Sequence, residues 1–203
     1  MKINFQYNKI SQLQLIKQLE VREKALPTLK NKESALRLEV KRARDDAAEL
    51  ERAIAQRNTE INALMRLWGE FDQSLISIRD VDIRTKKIAG VKTPELEHID
   101  FEIAPFNLFT APSWYLDGIT LLKELARLQI EREFFIRKML ILEQVRKKTT
   151  QKVNLYEKVQ IPAFEDAILR IKRFLEDEEN LSKAAQKILK TRLEKLRLEK
   201  QND

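Results

Sequence analysis

The stretch that decides the fold runs from Leu36 to Trp68, LRLEVKRARDDAAELERAIAQRNTEINALMRLW. Counting in sevens from Val40 gives Val40, Ala47, Ile54, Ile61 and Trp68, and next Leu75. The companion series is Leu36, Ala43, Leu50, Arg57, Leu64, Phe71 and Ile78. Every one of these positions except Arg57 is apolar, and the residues between them are mostly Glu, Arg, Lys, Asp and Gln. This 3-4 spacing keeps one stripe facing a partner helix as the pair supercoils. The register extends back through Leu29, Leu26, Leu19 and Leu15. Pro27 interrupts it, because proline lacks a backbone donor and crowds the preceding turn; the sequence predicts a kink or a helix start there.

A second repeat follows Gly118. Leu121, Leu128, Phe135, Leu142, Thr149 and Tyr156 form one series; Leu125, Arg132, Met139, Arg146 and Val153 form the other. Beyond Pro162 the stripe moves by one residue, to Ile161, Ile168 and Leu175 with Phe164 and Ile171. A register shift of this kind alters a supercoil locally without ending it. The stretch between the repeats, about 79–117, holds one of the three Gly, with the other two close outside it, and three of the five Pro. Val81 and Ile83, then Ile99, Phe101 and Ile103, alternate with polar residues at the period of a strand. A β-hairpin is expected there, and it must rest on the helices or on another subunit, since a lone hairpin is marginal in water.

The expected architecture is therefore mainly all-α: a long antiparallel two-helix coiled coil with a small hairpin at its middle. Its parts are an N-terminal helix over 1–78, a hairpin segment over 79–117 and a C-terminal helix over 118–203. At roughly 1.5 Å per residue each helix would run on the order of 100 Å. The seam residues that should hold the pair are Val40, Ile54, Ile61, Leu64, Phe71, Leu128, Phe135 and Leu142.

Composition agrees. The 203 residues include 39 Lys+Arg and 32 Asp+Glu, a net charge of +7, and charged residues make up 35%. An average globular chain has roughly 25%. Three Gly and five Pro leave few turns, which argues against a sandwich, barrel or doubly wound sheet. Without Cys and with a single His there is no disulfide framework, zinc-thiolate site or His-based metal cluster. No apolar run approaches the roughly 18 residues of a membrane span, and no signal peptide is recognisable, so a cytoplasmic location is expected. The three glycines, at 69, 90 and 118, are too far apart for a phosphate loop. Asp45-Asp46 and Glu176-Asp177-Glu178-Glu179 read as solvated helix faces, and His98, with no recognisable Ser/His/Asp order, reads as a surface or hairpin histidine. No catalytic, cofactor-binding or metal-binding residue is assigned.

Some positions have two readings. Arg57, Arg132 and Arg146 sit in the stripe; they either snorkel to its rim or pair with a carboxylate across the seam, or they set register or meet an acidic partner. Trp68, Trp114 and Tyr115 bracket the hairpin segment; with Phe71 they either cap the coiled coil or anchor a partner. Residues 181–200 carry seven Lys/Arg against two Glu, either a solvated helix end or an electropositive tip.

Three stretches resemble the D subunit of the V-type (A/V-type) rotary ATPases. The first is Lys148-Thr149-Thr150-Gln151-Lys152-Val153-Asn154-Leu155-Tyr156-Glu157, followed by Ile161-Pro162, similar to the family pattern K-T-x-x-[KR]-V-N-x-[LIY]-E and then I-P. The second, Ala89-Gly90-Val91-Lys92-Thr93-Pro94-Glu95-Leu96-Glu97, is similar to the family's central AGVxxPxxE. The third is a basic run in which Lys24, Leu29, Lys30, Lys32 and Leu36 match, while Ala25, Thr28 and Glu33 depart from the usual Gly, Leu and basic residue. The resemblance covers nearly the whole chain. It implies a non-catalytic central-stalk axle inside a hexamer of A and B subunits, with the middle near subunits F and C (d in eukaryotes). It also implies a place peripheral to the membrane, without insertion into it, and no cofactor or small-molecule ligand. A coiled-coil scaffold or adaptor unrelated to ATPases shares the heptads but not these motifs. A nucleic-acid-binding helical protein would need a recognition motif that is not found.

Overall fold

The computed structural model describes residues 3–63, 68–107, 109 and 111–199. Its main elements are helix α1 (Lys9–Ala63), strands β1 (Ile76–Ile88) and β2 (Val91–Ile103), helix α2 (Tyr115–Leu155) and helix α3 (Ile161–Glu199). A 3-10 turn, Gln73–Leu75, precedes β1, and a π-helical turn, Tyr156–Gln160, joins α2 to α3. The chain divides into a hairpin unit, residues 31–150, and a terminal unit, residues 1–30 with 151–203.

In the terminal unit α1 begins with a built cap. The Ser11 N–H donates to Asn8 Oδ1 at 2.7 Å, and the Gln6 N–H donates back to Ser11 Oγ at 3.3 Å. The first of these bonds satisfies one of the helix's orphan donors, and the second ties down the chain just before it. Pro27 lies inside α1, so the helix does not start there. Leu15 packs with Phe164, Ala167 and Ile171, and Ile3, Phe5, Leu19, Ile168 and Leu175 close around them. Higher numbers on α1 meet lower ones on the returning chain: Arg22 Nε donates to Gln160 Oε1 at 2.7 Å, and Lys30 Nζ to Glu157 Oε1 at 2.6 Å. The two segments of this unit are thus antiparallel.

The π-helical turn explains the one-residue shift of the second repeat. The Ile161 N–H bonds to the Tyr156 carbonyl, five residues back instead of four. One extra residue is held in that turn, so every later side chain falls one position on. Pro162 follows directly; it has no N–H for the regular ladder, and the wider turn spares its ring a clash with the preceding carbonyls.

In the hairpin unit β1 and β2 pair antiparallel from Ile76↔Ile103 to Ile88↔Val91, with irregularities between Ile78 and Asp80 and between Asp82 and Ile83. The tight turn has Ala89 at φ 48° and Gly90 at φ 79°. Two consecutive left-handed residues make the type of turn whose twist matches that of the strands. Pro94 sits opposite Thr85 within β2, tolerable because a two-stranded sheet has a free edge on each strand. Ile88 and Val91, flanking the turn, pack on the buried cluster of Leu36, Val40 and Leu142, as Met139 and Val145 do, so the hairpin tip rests on the helices.

The hairpin begins earlier than the predicted boundary of 79. The heptad spacing predicts helix to residue 78, but Leu75 closes a 3-10 turn and Ile78 lies in β1. Asp72 caps that turn through the Ser74 N–H, and the β-branched Ile76 and Ile78 pair across to Ile103 and Phe101. The spacing of Phe71, Leu75 and Ile78 therefore overlaps a different use of the same residues: Phe71, Leu75 and Ile119 form the cluster beneath the hairpin base. Likewise α2 starts at Tyr115, not 118, and the π turn divides it from α3.

Candidate functional site: the helix seam

The seam residues proposed from sequence distribute as follows. Val40, Ile54, Phe71 and Leu142 are buried. Ile61, Leu128 and Phe135 are half-buried, and Leu64 lies outside the described residues. Leu36 and Ala43, members of the companion series, are also fully buried. Phe135 borders a cleft between β2 and α2 with Thr93, Pro94 and Leu96, and Lys138 Nζ stands 5.5 Å from its ring centroid. The hairpin thus covers part of the stripe.

Each arginine in the stripe of the hairpin unit meets a glutamate on the facing helix. Arg57 Nη2 lies 3.1 Å from Glu124, Arg132 Nη1 is bonded to Glu51, and Arg146 Nη1 lies 3.7 Å from Glu33. The last pair is the most enclosed, with Glu33 only 13% exposed. Glu33 also accepts from Arg37 at 2.8 Å and Thr150 at 3.2 Å, while Glu143 holds Arg146 at 2.6 Å. Burial alone would raise the Glu33 carboxyl, but the hydrogen bonds from Arg37 and Thr150 and the charges of Arg37 and Arg146 outweigh it and hold its pKa below the ordinary value. The Arg146 guanidinium is pushed up by its bond to Glu143.

Trp68, Phe71, Trp114 and Tyr115 pack as one aromatic cluster, with ring centroids 5.1–5.7 Å apart. Trp68, Trp114 and Tyr115 remain half-buried within it. The Tyr115 hydroxyl donates to the Glu70 carbonyl, tying the start of α2 to the chain just before the hairpin. A Cβ on Gly118 would sit 2.9 Å from Trp114 Cζ3, so a bare α-carbon is what lets the indole lie there.

Of the motif residues, Thr149 and Val153 are buried, Pro94 and Ile161 half-buried, and Gly90, Asn154 and Pro162 exposed. Thr149 Oγ1 donates to the Val145 carbonyl at 2.9 Å, which satisfies its hydroxyl inside the stripe. Val153, Ile161 and Pro162 flank or follow the π turn. The facing part of α1 carries Pro27, between Arg22 and Lys30, which bond Gln160 and Glu157 of that turn. Periodicity exposed the register shift; the backbone irregularity behind it, and the hairpin lying over Phe135, left no such trace.

Among the described residues no group of His, Cys, Asp and Glu could hold a metal ion, and no helix is long and apolar enough to cross a membrane. His98 pairs with Asp100 at 3.0 Å on the exposed hairpin. What the fold and the seam define is a paired-helix protein whose seam carries polar groups that tie one helix to the other. A family model for the ATP synthase D subunit matches residues 11–191. The chain is 29% identical over 174 residues to the V-type ATP synthase D subunit of Chlamydia pneumoniae, covering 83% of each chain. It is 29% identical over 179 residues to that of Borreliella burgdorferi, covering 87% of this chain and 88% of the relative. To that of Chlamydia trachomatis serovar L2 it is 30% identical over 157 residues, covering 75% and 77%. The chain belongs to the ATP synthase D-subunit family.

Proposed function

We propose that the chain is a non-catalytic central-stalk subunit, the rotor axle of a V-type ATPase or ATP synthase. It carries rotation between a hexamer of A and B subunits and a membrane ring that moves protons or sodium ions. Subunits F and C (d) of the stalk are its other partners, and it sits in the cytoplasm, peripheral to the membrane. Family membership supports a stalk subunit. The observation that carries the finer reading is the antiparallel pairing of long helices along apolar seams in each unit. A shaft that transmits torque needs stiffness, which a dry seam supplies, and charged flanks that do not lock to one orientation of a sleeve. Coupling is then mechanical: one asymmetric body meets equivalent sites differently in turn.

The α3 stretch from Leu181 onward supports an inserted tip. Leu181, Ile188, Leu189 and Leu193 are exposed, and Lys183, Lys187, Lys190, Arg192 and Lys195 lie among them. An apolar and basic helix end of this kind suits a closely lined cavity. The proposed test is affinity purification of the native chain with identification of co-purifying subunits, followed by ATPase assays on the complex. Recovery of A, B, F and C with ion-coupled ATPase activity is the expected result. Recovery of unrelated partners alone would favour a scaffold and dismiss the axle.

A further inference from the structure

We propose that the three cross-seam arginine–glutamate pairs of the hairpin unit form a register lock, which stops α1 from sliding along α2. The inference deepens the axle reading, for a shaft whose two helices slip past one another dissipates the torque it should carry.

The need for such a lock follows from the seam. A heptad seam repeats itself every seven residues, so a seven-residue slip keeps an apolar stripe facing its partner and is opposed by lost packing volume more than by pattern. Slipped toward the C-terminus of α1, Leu36 gives way to Ala43 and Val40 to Ala47, a loss of volume without a change of polarity at those two positions, while Leu50 gives way to Arg57; slipped the other way, Glu33 takes the place of Val40. The charged pairs respond differently. In the observed register Arg146 meets Glu33, Arg132 meets Glu51 and Glu124 meets Arg57. Slipped seven residues toward the C-terminus of α1, Arg146 would face Val40, Arg132 Asn58 and Glu124 Leu64. Slipped the other way, they would face Leu26, Arg44 and Leu50. All three pairs are lost in either direction, and one direction sets Arg132 against an arginine. Polar or charged groups at seam positions have this use in coiled coils generally: they add little stability and make one alignment unique.

The pairs are spread for the purpose. They span Glu33 to Arg57 on α1 and Glu124 to Arg146 on α2, which is most of the paired length in this unit. The Glu33–Arg146 layer is further fixed by Arg37, Thr150 and Glu143, so neither partner can follow a sliding helix by changing rotamer alone.

The test reads register directly, on the full chain and apart from any ATPase. The chain has no cysteine, so spin labels can be placed at Arg52 and Leu140, both on exposed faces and staggered along the helix pair. A seven-residue slip is about 10 Å of axial travel. Dipolar spectroscopy of the otherwise unaltered chain should give one narrow distance. The triple variant Glu33→Gln, Glu51→Gln, Glu124→Gln should add a second population displaced by several ångströms, with the slipped fraction raised about tenfold or more. The reversal Glu51→Arg should do the same, and pairing it with Arg132→Glu should restore the single distance. The lock is refuted if the triple variant keeps the single narrow distance at unchanged helical content. It is equally refuted if the Glu51→Arg, Arg132→Glu chain stays as broad as Glu51→Arg. Loss of the axle function in the co-purification test would leave these distances as they are, so the two ideas fail separately.

Discussion

Leu142 and Leu140 stand two residues apart on α2 and should behave oppositely when cut to alanine. Leu142 is 0% exposed and packs with Leu36, Val40, Met139 and Val145, with the hairpin tip above it; Leu140 is 58% exposed. Leu142→Ala removes three buried carbons and leaves a cavity that two helices and a hairpin can only partly close. Large-to-small changes of this kind cost about 2–5 kcal/mol. In a chain of this size each kcal/mol is worth about 2–4 °C of Tm, so a mid-range loss of about 3 kcal/mol lowers Tm by about 6–12 °C. Leu140→Ala, at a solvent-facing position, should stay within about 0.5 kcal/mol, a shift of about 2 °C at most. Thermal melts followed by circular dichroism at 222 nm, repeated as urea titrations, measure both. If the two variants shift alike, or Leu142→Ala loses less than about 1 kcal/mol, the stripe does not face its partner as described.

Other substitutions probe other parts of the architecture. Gly118→Ala should be neutral to destabilising by about 2 kcal/mol, since overpacking against the confined Trp114 ring opposes a helix-propensity gain of about 1 kcal/mol; a shifted tryptophan emission should accompany it, and a clear stabilisation with unchanged emission would contradict the contact. Gly90→Ala should cost about 1 kcal/mol, because φ 79° disfavours any side chain although a Cβ would meet only Lys32 Nζ, at an ordinary 3.7 Å, and amide exchange should rise in β1 and β2 before it rises in α2. Glu33 makes a pH-dependent contribution of definite sign. Its folded pKa is lowered, so its stabilisation is full above the ordinary glutamate value of about 4.5 and is lost as pH falls through the lower folded value; Glu33→Gln should therefore flatten the acid limb of a Tm-against-pH curve and leave its slope near neutrality unchanged.

The helices were legible because burying one stripe requires one residue pattern, and Val40, Ile54 and Leu142 have no other use. The alternation at Ile99, Phe101 and Ile103 revealed the hairpin for the same reason. Legibility failed where two uses share one spacing. Phe71, Leu75 and Ile78 continue the heptad, yet Asp72 caps a tight turn and the isoleucines enter a strand. Pro27 reads as a kink or a helix start, and only the start is excluded, because α1 runs through it from Lys9. Of the functional residues, the stripe arginines drew notice because charge is out of place there. Of their partners, Glu33 drew notice only as a departure from a usual basic residue, and Glu51 and Glu124 drew none, because a glutamate on a charged face is ordinary until the facing helix is known.

The π-helical turn at Tyr156–Gln160 also governs how the chain tolerates edits. One residue advances an α-helix by about 100° of rotation. Removing a single residue from this turn would straighten the backbone and swing Phe164, Ala167 and Ile171 out of alignment with Leu15, turning the exposed leucines at 181, 189 and 193 with them. The turn acts as a clocking spacer, and what it dials in is the compass bearing of everything on α3.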